Sequence, residues 1–142
     1  MSYTLGVRTN NDTTDSLTLV EKSVWYYGNG GTWTDREEGH ILQIGSSGTS
    51  GLLRFKSTNG ETFVVAVGVH NYKRWCDVLV DIKDEDTLTK LHPAYYDDKN
   101  PKYQVLWKQA SEVSVTSAKG KKISVHFYVA DGNSLKATLA YV

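Results

Sequence analysis

The sequence predicts a mainly β fold of the sandwich kind, α+β in detail, on three observations. Apolar and polar residues alternate in short runs, glycine- and asparagine-rich turn signals separate those runs, and one stretch in the second half carries helix-end signals instead. Strands and turns that succeed one another at this spacing are those of two packed sheets. At 142 residues the chain has the size of one domain, 1–142. A chain of this length buries about two thirds of its unfolded surface, enough for a core without disulfide staples.

Tyr3, Leu5 and Val7 alternate with Thr4, Gly6 and Arg8, the period of a half-buried strand. Residues 10–16 are polar and turn-rich. Within them Asn11-Asp12-Thr13 has the spacing of a glycosylation acceptor and reads as a turn, because the first residues lack the basic start and apolar run of a secretory leader. Residues 17–27 are the next strand, closed by Asn29-Gly30-Gly31, and strands over 41–44 and 52–56 follow. Asn59-Gly60 then turns the chain into a one-sided series of Phe63, Val65, Val67 and Val69.

Asp84 is placed to cap a helix over 85–91, with acidic residues in its first turn and Pro93 beyond its end. A second helical stretch is predicted over 101–110, where Pro101 suits a first helical position and Val105, Leu106 and Gln109 have helical spacing. Strands at 113–116, 123–129 and 135–141 complete the chain, broken at Lys119-Gly120 and Asp131-Gly132-Asn133.

Sixteen basic residues balance sixteen acidic ones, so nothing supplies an electrostatic grip on nucleic acid or an anionic membrane. No apolar run approaches the roughly 20 residues that span a bilayer. Cys76 is the only cysteine and forms no internal disulfide, which with the unremarkable first residues places the expected location in a reducing cytoplasm.

The run Gly45-Ser46-Ser47-Gly48-Thr49-Ser50-Gly51 is the most informative segment, because small hydroxyl residues and glycines bring backbone N–H groups close to a polar ligand. It is not a nucleotide cradle: Leu52 and Leu53 stand where a phosphate-binding loop needs Lys and Ser or Thr. A flexible hairpin loop remains the alternative. His70, Cys76 and Asp77 lie near one another in sequence, but Cys76 between Trp75 and Val78 reads as a core residue rather than a nucleophile. Asp77 with Asp81 is the only nearby acidic cluster for glycoside hydrolysis, which needs carboxylates across the scissile bond. His40, His70, His92 and His126 share no close spacing that gathers two imidazoles on a metal, so no metal or cofactor is expected. Trp25 and Trp75 read as core, whereas Trp33, Tyr72 and Trp107 are candidates to stack on the C–H face of a sugar.

The segments 27–33 (Tyr-Gly-Asn-Gly-Gly-Thr-Trp), 47–51 (Ser-Gly-Thr-Ser-Gly) with Leu53-Arg54-Phe55, and 68–77 (Gly-Val-His-Asn-Tyr-Lys-Arg-Trp-Cys-Asp) closely resemble the fungal fruit-body lectin family. The likeness runs more loosely from Tyr3-Thr4 through Tyr95-Tyr96 and Ala118-Lys119-Gly120 to Leu135-Lys136-Ala137. It implies an actinoporin-like β-sandwich, two sheets joined by a helix-loop-helix connection, and a non-enzymatic protein that binds glycans and assembles as a dimer or tetramer.

The family's principal site takes galactosyl-β1,3-N-acetylgalactosamine. By position it falls on Gly28, Ser47, Gly48 and Asn71, with Thr49, His70 and Tyr72 close by. Gly28 stands where the family usually has alanine, a change that keeps the backbone N–H. An axial galacto hydroxyl both donates and accepts, which suits an asparagine amide beside a serine. The family's second site, for terminal N-acetylglucosamine, maps onto Asp77, Val78, Val80, Lys102 and Val113, with Pro101 the alternative to Lys102. Methyl groups replace a threonine and a tyrosine there, so this specificity is expected to be weakened or lost. The rival implied by the sandwich is a membrane-active cytolysin, against which residues 3–8 alternate like a strand and residues 10–16 have no apolar helical face.

Overall fold

The computed structural model describes residues 2–25 and 30–142. The strands are β1 (Tyr3–Asn11), β2 (Leu17–Val24), β3 (Gly31–Arg36), β4 (Gly39–Ile44), β5 (Thr49–Ser57), β6 (Thr62–His70), β7 (Lys73–Leu79), β8 (Glu112–Thr116), β9 (Lys122–Val129) and β10 (Ser134–Tyr141). Between β7 and β8 lie α1 (Leu88–Leu91), a 3-10 turn (His92–Tyr96) and α2 (Tyr103–Lys108).

One sheet has the order β3-β4-β1-β10-β9-β8 and the other β2-β5-β6-β7. Pairings are antiparallel except that β1 runs parallel to β10, with Leu5 opposite Leu135 and Val7 opposite Ala137. The strand alternation read from residues 3–8 therefore points Tyr3, Leu5 and Val7 inward, where they meet Leu53, Phe55, Phe63, Val65 and Val67 of the facing sheet. The predicted turns at Asn59-Gly60, Lys119-Gly120 and Asp131-Gly132 join β5 to β6, β8 to β9 and β9 to β10, each with its glycine at positive φ. Asn11-Asp12-Thr13 is a side-chain-closed turn, in which Asn11 Oδ1 accepts from the Thr13 N–H at 3.0 Å and Asn11 Nδ2 donates to the Asp15 carbonyl at 2.7 Å.

Two differences from the sequence reading have physical causes. The series Phe63, Val65, Val67 and Val69 is not one-sided, because Val64 and Ala66 are equally buried on the outer face of the smaller sheet. That face is covered by the helical connection, where Leu52, Val64, Ala66 and Trp75 pack against Leu88, Tyr95 and Leu106. Strands β3 and β7 carry no alternation that marks them: β3 is a sheet edge with one buried residue, Trp33, and β7 is buried on both faces around the charged Asp77.

The first helix begins at Leu88 rather than Glu85. Buried Arg54 holds the preceding segment open by donating to the Asp86 carbonyl, and to the Lys83 carbonyl at 2.9 Å. The Glu21 carboxylate then accepts the Leu88 N–H at 3.1 Å, a charged partner for a helix-start donor supplied from another strand. The second helix covers Tyr103–Lys108, inside the predicted 101–110, and stops where Gln109 turns left-handed at φ 50.

The glycine- and serine-rich run is not a hairpin loop either. Residues 45–48 carry the chain from one sheet to the other, and Thr49, Ser50 and Gly51 already belong to β5. Gly51 is fixed by packing, since a Cβ there would lie 2.6 Å from the Trp33 ring. Gly51→Ala is expected to cost about 1–2 kcal/mol by forcing that ring off its seat, read as a lowered urea midpoint with altered tryptophan fluorescence. An unchanged midpoint would show that the ring moves freely.

Candidate functional site

Two loops at one end of the smaller sheet meet at Ser47. Its hydroxyl oxygen accepts the backbone N–H of Tyr72 at 2.9 Å, across 25 residues of chain. The neighbouring Gly48, at φ 94, donates its N–H to the Val69 carbonyl at 2.8 Å. These bonds clamp the 45–48 crossover onto the hairpin between β6 and β7.

That hairpin turns on Asn71 and Tyr72, at φ 49 and φ 66, the paired left-handed conformation of a tight primed turn that matches strand twist. Asparagine is among the few side chains that adopt it readily, so its short amide is presented to solvent at the tip. Tyr72 is 76% exposed beside it. Thr49, by contrast, is fully enclosed at the start of β5, opposite Val69. Gly28 lies outside the described residues.

His70 ends β6 with its ring edge-on to Trp107 at 4.4 Å between centroids. Burial holds the imidazole below its ordinary pKa, so the ring is neutral near pH 7. Trp107 is half exposed, which keeps it available as a stacking face, whereas Trp33 is buried with its Nε1 donating to the Ser23 carbonyl at 2.9 Å and belongs to the core. Trp75 is fully buried as expected, but Trp25, also read as core, is only partly buried and lies at the margin, stacked on Tyr96 at 4.3 Å.

Gln109, which helical spacing alone would place on the second helix, lies just past its end beside the hairpin. Its amide donates to the His70 carbonyl at 2.8 Å, and its own carbonyl accepts from Arg74 Nη1 at 2.9 Å. The end of α2 is thereby fastened to the β6–β7 hairpin, which holds Trp107 against His70.

The second residue set divides between two faces of β7. Asp77 is buried on the helical side, where Oδ2 accepts the Tyr95 hydroxyl at 2.7 Å and the Lys102 amine at 3.0 Å. Of Lys102 and Pro101, it is Lys102 that brings a cation to this carboxylate. Strand alternation turns Val78 the other way, into the core between the sheets, and Val80 packs there too. Val113 of β8 joins Asp77 and Val105 around a cavity of about 490 Å³.

The remaining constellations resolve into local structure. Burial pushes the Cys76 thiol up to about 12, and its Sγ faces the Ala110 carbonyl at 3.4 Å, so it supplies no thiolate at neutral pH. His40 pairs with Asp35 at 2.7 Å and His126 lies 4.0 Å from Glu112. His92 is held between Ser23 Oγ at 2.8 Å and Ser50 Oγ at 2.9 Å. Among the described residues, no three His, Cys, Asp or Glu side chains gather as metal ligands.

The chain matches the model of the fungal fruit body lectin family over residues 1–139. It is 45% identical to the Boletus edulis lectin over 140 residues, covering 99% of this chain and 97% of that protein. The structure superimposes on that of the wild-type Xerocomus chrysenteron lectin with a TM-score of 0.95 at 45% identity, covering all of both chains. A methionine-substituted form of the same lectin gives 0.96.

Proposed function

The chain belongs to the fungal fruit body lectin family and is a carbohydrate-binding protein without catalytic function, from which premise we propose that it recognises galactosyl-β1,3-N-acetylgalactosamine at the Ser47–Asn71 loops. The observation that carries the reading is the clamp of Ser47 on Tyr72, which fixes the turn where Asn71 is exposed, next in the chain to His70, whose ring meets the half-exposed Trp107. An axial hydroxyl with both donor and acceptor capacity pairs with that amide, and the indole offers a flat apolar face to the sugar ring. Gly28, Gly48, Thr49, His70 and Tyr72 complete the proposed site, Thr49 and His70 as its floor rather than its contact surface.

A wet, shallow site of this kind binds weakly alone, since few contacts are withdrawn from water. We propose that residues 1–142 act as one lectin domain in a dimer or tetramer, where linked sites gain about 100-fold or more in avidity. A cytoplasmic protein of this kind would serve defence against glycan-bearing consumers. The membrane-active alternative draws no support: residues 3–11 form a central strand, and no helix among the described residues is long and apolar enough to cross a membrane.

The second site is proposed to be weakened. Val78 and Val80 pack into the core, and one Asp77 oxygen, Oδ2, is already engaged by both Tyr95 and Lys102. A glycan array on the purified protein is expected to give signals for the galactosyl disaccharide and none for terminal N-acetylglucosamine. Calorimetric N-acetylglucosamine binding that disappears in Asp77→Asn would overturn the second statement, and an array without galactosyl-N-acetylgalactosamine signals the first.

A further inference from the structure

A hollow on the outer face of the six-stranded sheet carries cations that the fold does not consume. Gly6 lies in the middle of β1, paired with Ile41 of β4 on one side and Lys136 of β10 on the other. Glycine weakens a strand interior, and a strand that keeps one usually has a neighbour that demands it. Gly51 has such a neighbour in Trp33. Gly6 has none: a Cβ there would meet only the Leu135 carbonyl oxygen, at 4.0 Å. What its missing side chain does is leave a depression of about 260 Å³, walled by Arg8, Glu38, Ile41, Tyr128 and Lys136.

The wall is partly built in advance. Arg8 Nε donates to Thr138 Oγ1 at 2.8 Å, and its guanidinium lies 4.3 Å over the Tyr128 ring. This fixes the fork and leaves its terminal N–H groups without an acceptor among the described residues. The Lys136 amine likewise has no ion-pair partner among the described residues. A fixed guanidinium beside a lysine is a recognition element for a carboxylate. Glu38 on the same rim repels a bare anion but accepts hydrogen bonds from hydroxyl groups, while Ile41 and the Tyr128 ring offer apolar contact. The volume lies just under the roughly 300–1,000 Å³ of pockets for drug-sized ligands and so suits one ring.

We propose that this hollow binds a monosaccharide bearing a carboxylate, of the uronic or sialic acid class, with the carboxylate on Arg8 and Lys136 and the hydroxyls toward Glu38. The site is separate from the Ser47–Asn71 loops, which lie at an end of the other sheet. It gives the protein a means of holding acidic termini that the galactosyl site does not read.

The test is nitrogen-15 NMR titration of the intact chain with N-acetylneuraminic acid and glucuronate, beside glucose and inorganic phosphate. Both acids are expected to give saturable shifts at the Gly6, Ile41 and Lys136 amides, with glucose at least about tenfold weaker and phosphate failing to displace them. Lys136→Ala and Gly6→Val are each expected to weaken the acids about tenfold or more, with thermal stability and disaccharide binding retained. Asn71→Gly is expected to leave the acid shifts unchanged, which separates this site from the loop site. Absence of saturable shifts, equal affinity for glucose, displacement by phosphate, or unaltered binding in Gly6→Val would each overturn the proposal.

Discussion

Asn71→Gly is expected to weaken binding of galactosyl-β1,3-N-acetylgalactosamine by at least about 30-fold while the folded protein keeps its melting temperature, about 2 kcal/mol of recognition being lost. Glycine is the informative replacement because Asn71 sits at φ 49, where alanine would add backbone strain and confuse a lost contact with a damaged turn. Glycine keeps the turn and the Ser47-to-Tyr72 clamp and removes only the amide. A sugar hydroxyl that both gives and receives a hydrogen bond would then face an unpaired position, and its dehydration would go uncompensated. Calorimetry with the disaccharide checks the affinity and a thermal melt checks the fold. Undiminished affinity with an unchanged melt would remove Asn71 from the site.

Acid is expected to destabilise the fold well before the carboxylates titrate. His92 is buried between Ser23 and Ser50, and burial lowers its pKa from 6.5 to about 4. The unfolded chain therefore binds a proton that the folded chain refuses, so the neutral ring's contribution is fully present above pH 6.5 and is lost as pH falls toward about 4. One pKa unit is worth about 1.4 kcal/mol, which puts the loss at about 3 kcal/mol over that window. His70 shifts in the same direction, also by burial, and steepens the same slope. Urea midpoints measured at intervals from pH 7 to pH 4.5 follow the loss. His92→Gln keeps hydrogen-bonding groups between the two serines without a titrating ring, and is expected to flatten most of the slope. A wild-type midpoint that stays level to pH 4.5 would show that His92 is protonated in the folded state without cost.

The buried histidine also ties the helical connection to the smaller sheet. Ser50 of β5 binds His92 and, at 2.7 Å, the Tyr96 hydroxyl, so the 3-10 turn is fastened directly to the smaller sheet. Arg54, two turns of pleat further along the same strand, fastens the segment before α1 through its bonds to the Lys83 and Asp86 carbonyls. Strand β5 thus acts as the anchor for the connection on which Trp107 and Lys102 are carried.

Much of the architecture was legible because it is written in local periodicity. Tyr3, Leu5 and Val7, and again Ile123, Val125 and Phe127, alternate as half-buried strands must, and they do face the core. Elements without a local periodicity leave no such mark. Trp33 alone marks the edge strand β3, and Asp77 interrupts the apolar run of β7, although the Lys102 amine pairs with it and the Tyr95 hydroxyl donates to it from elsewhere in the chain. The residues proposed for the loop site differ in burial that no local pattern displays: Ser47 holds the exposed Asn71–Tyr72 turn, while Thr49 and Ser50 of the same glycine- and serine-rich run are enclosed.

The sequence by itself determined that the chain is a β protein with short turns at known glycines, that Tyr3, Leu5 and Val7 point inward, and to which family it is similar. These follow from side-chain periodicity and from turn conformations that only certain residues adopt. The tertiary structure decided which of two tryptophans is core and which is exposed, where the helix begins, which face of β7 carries Asp77, and that Gln109 belongs beside His70. Each of these depends on groups brought together across long stretches of chain by the order of strands in two sheets, and a local pattern holds no record of that order.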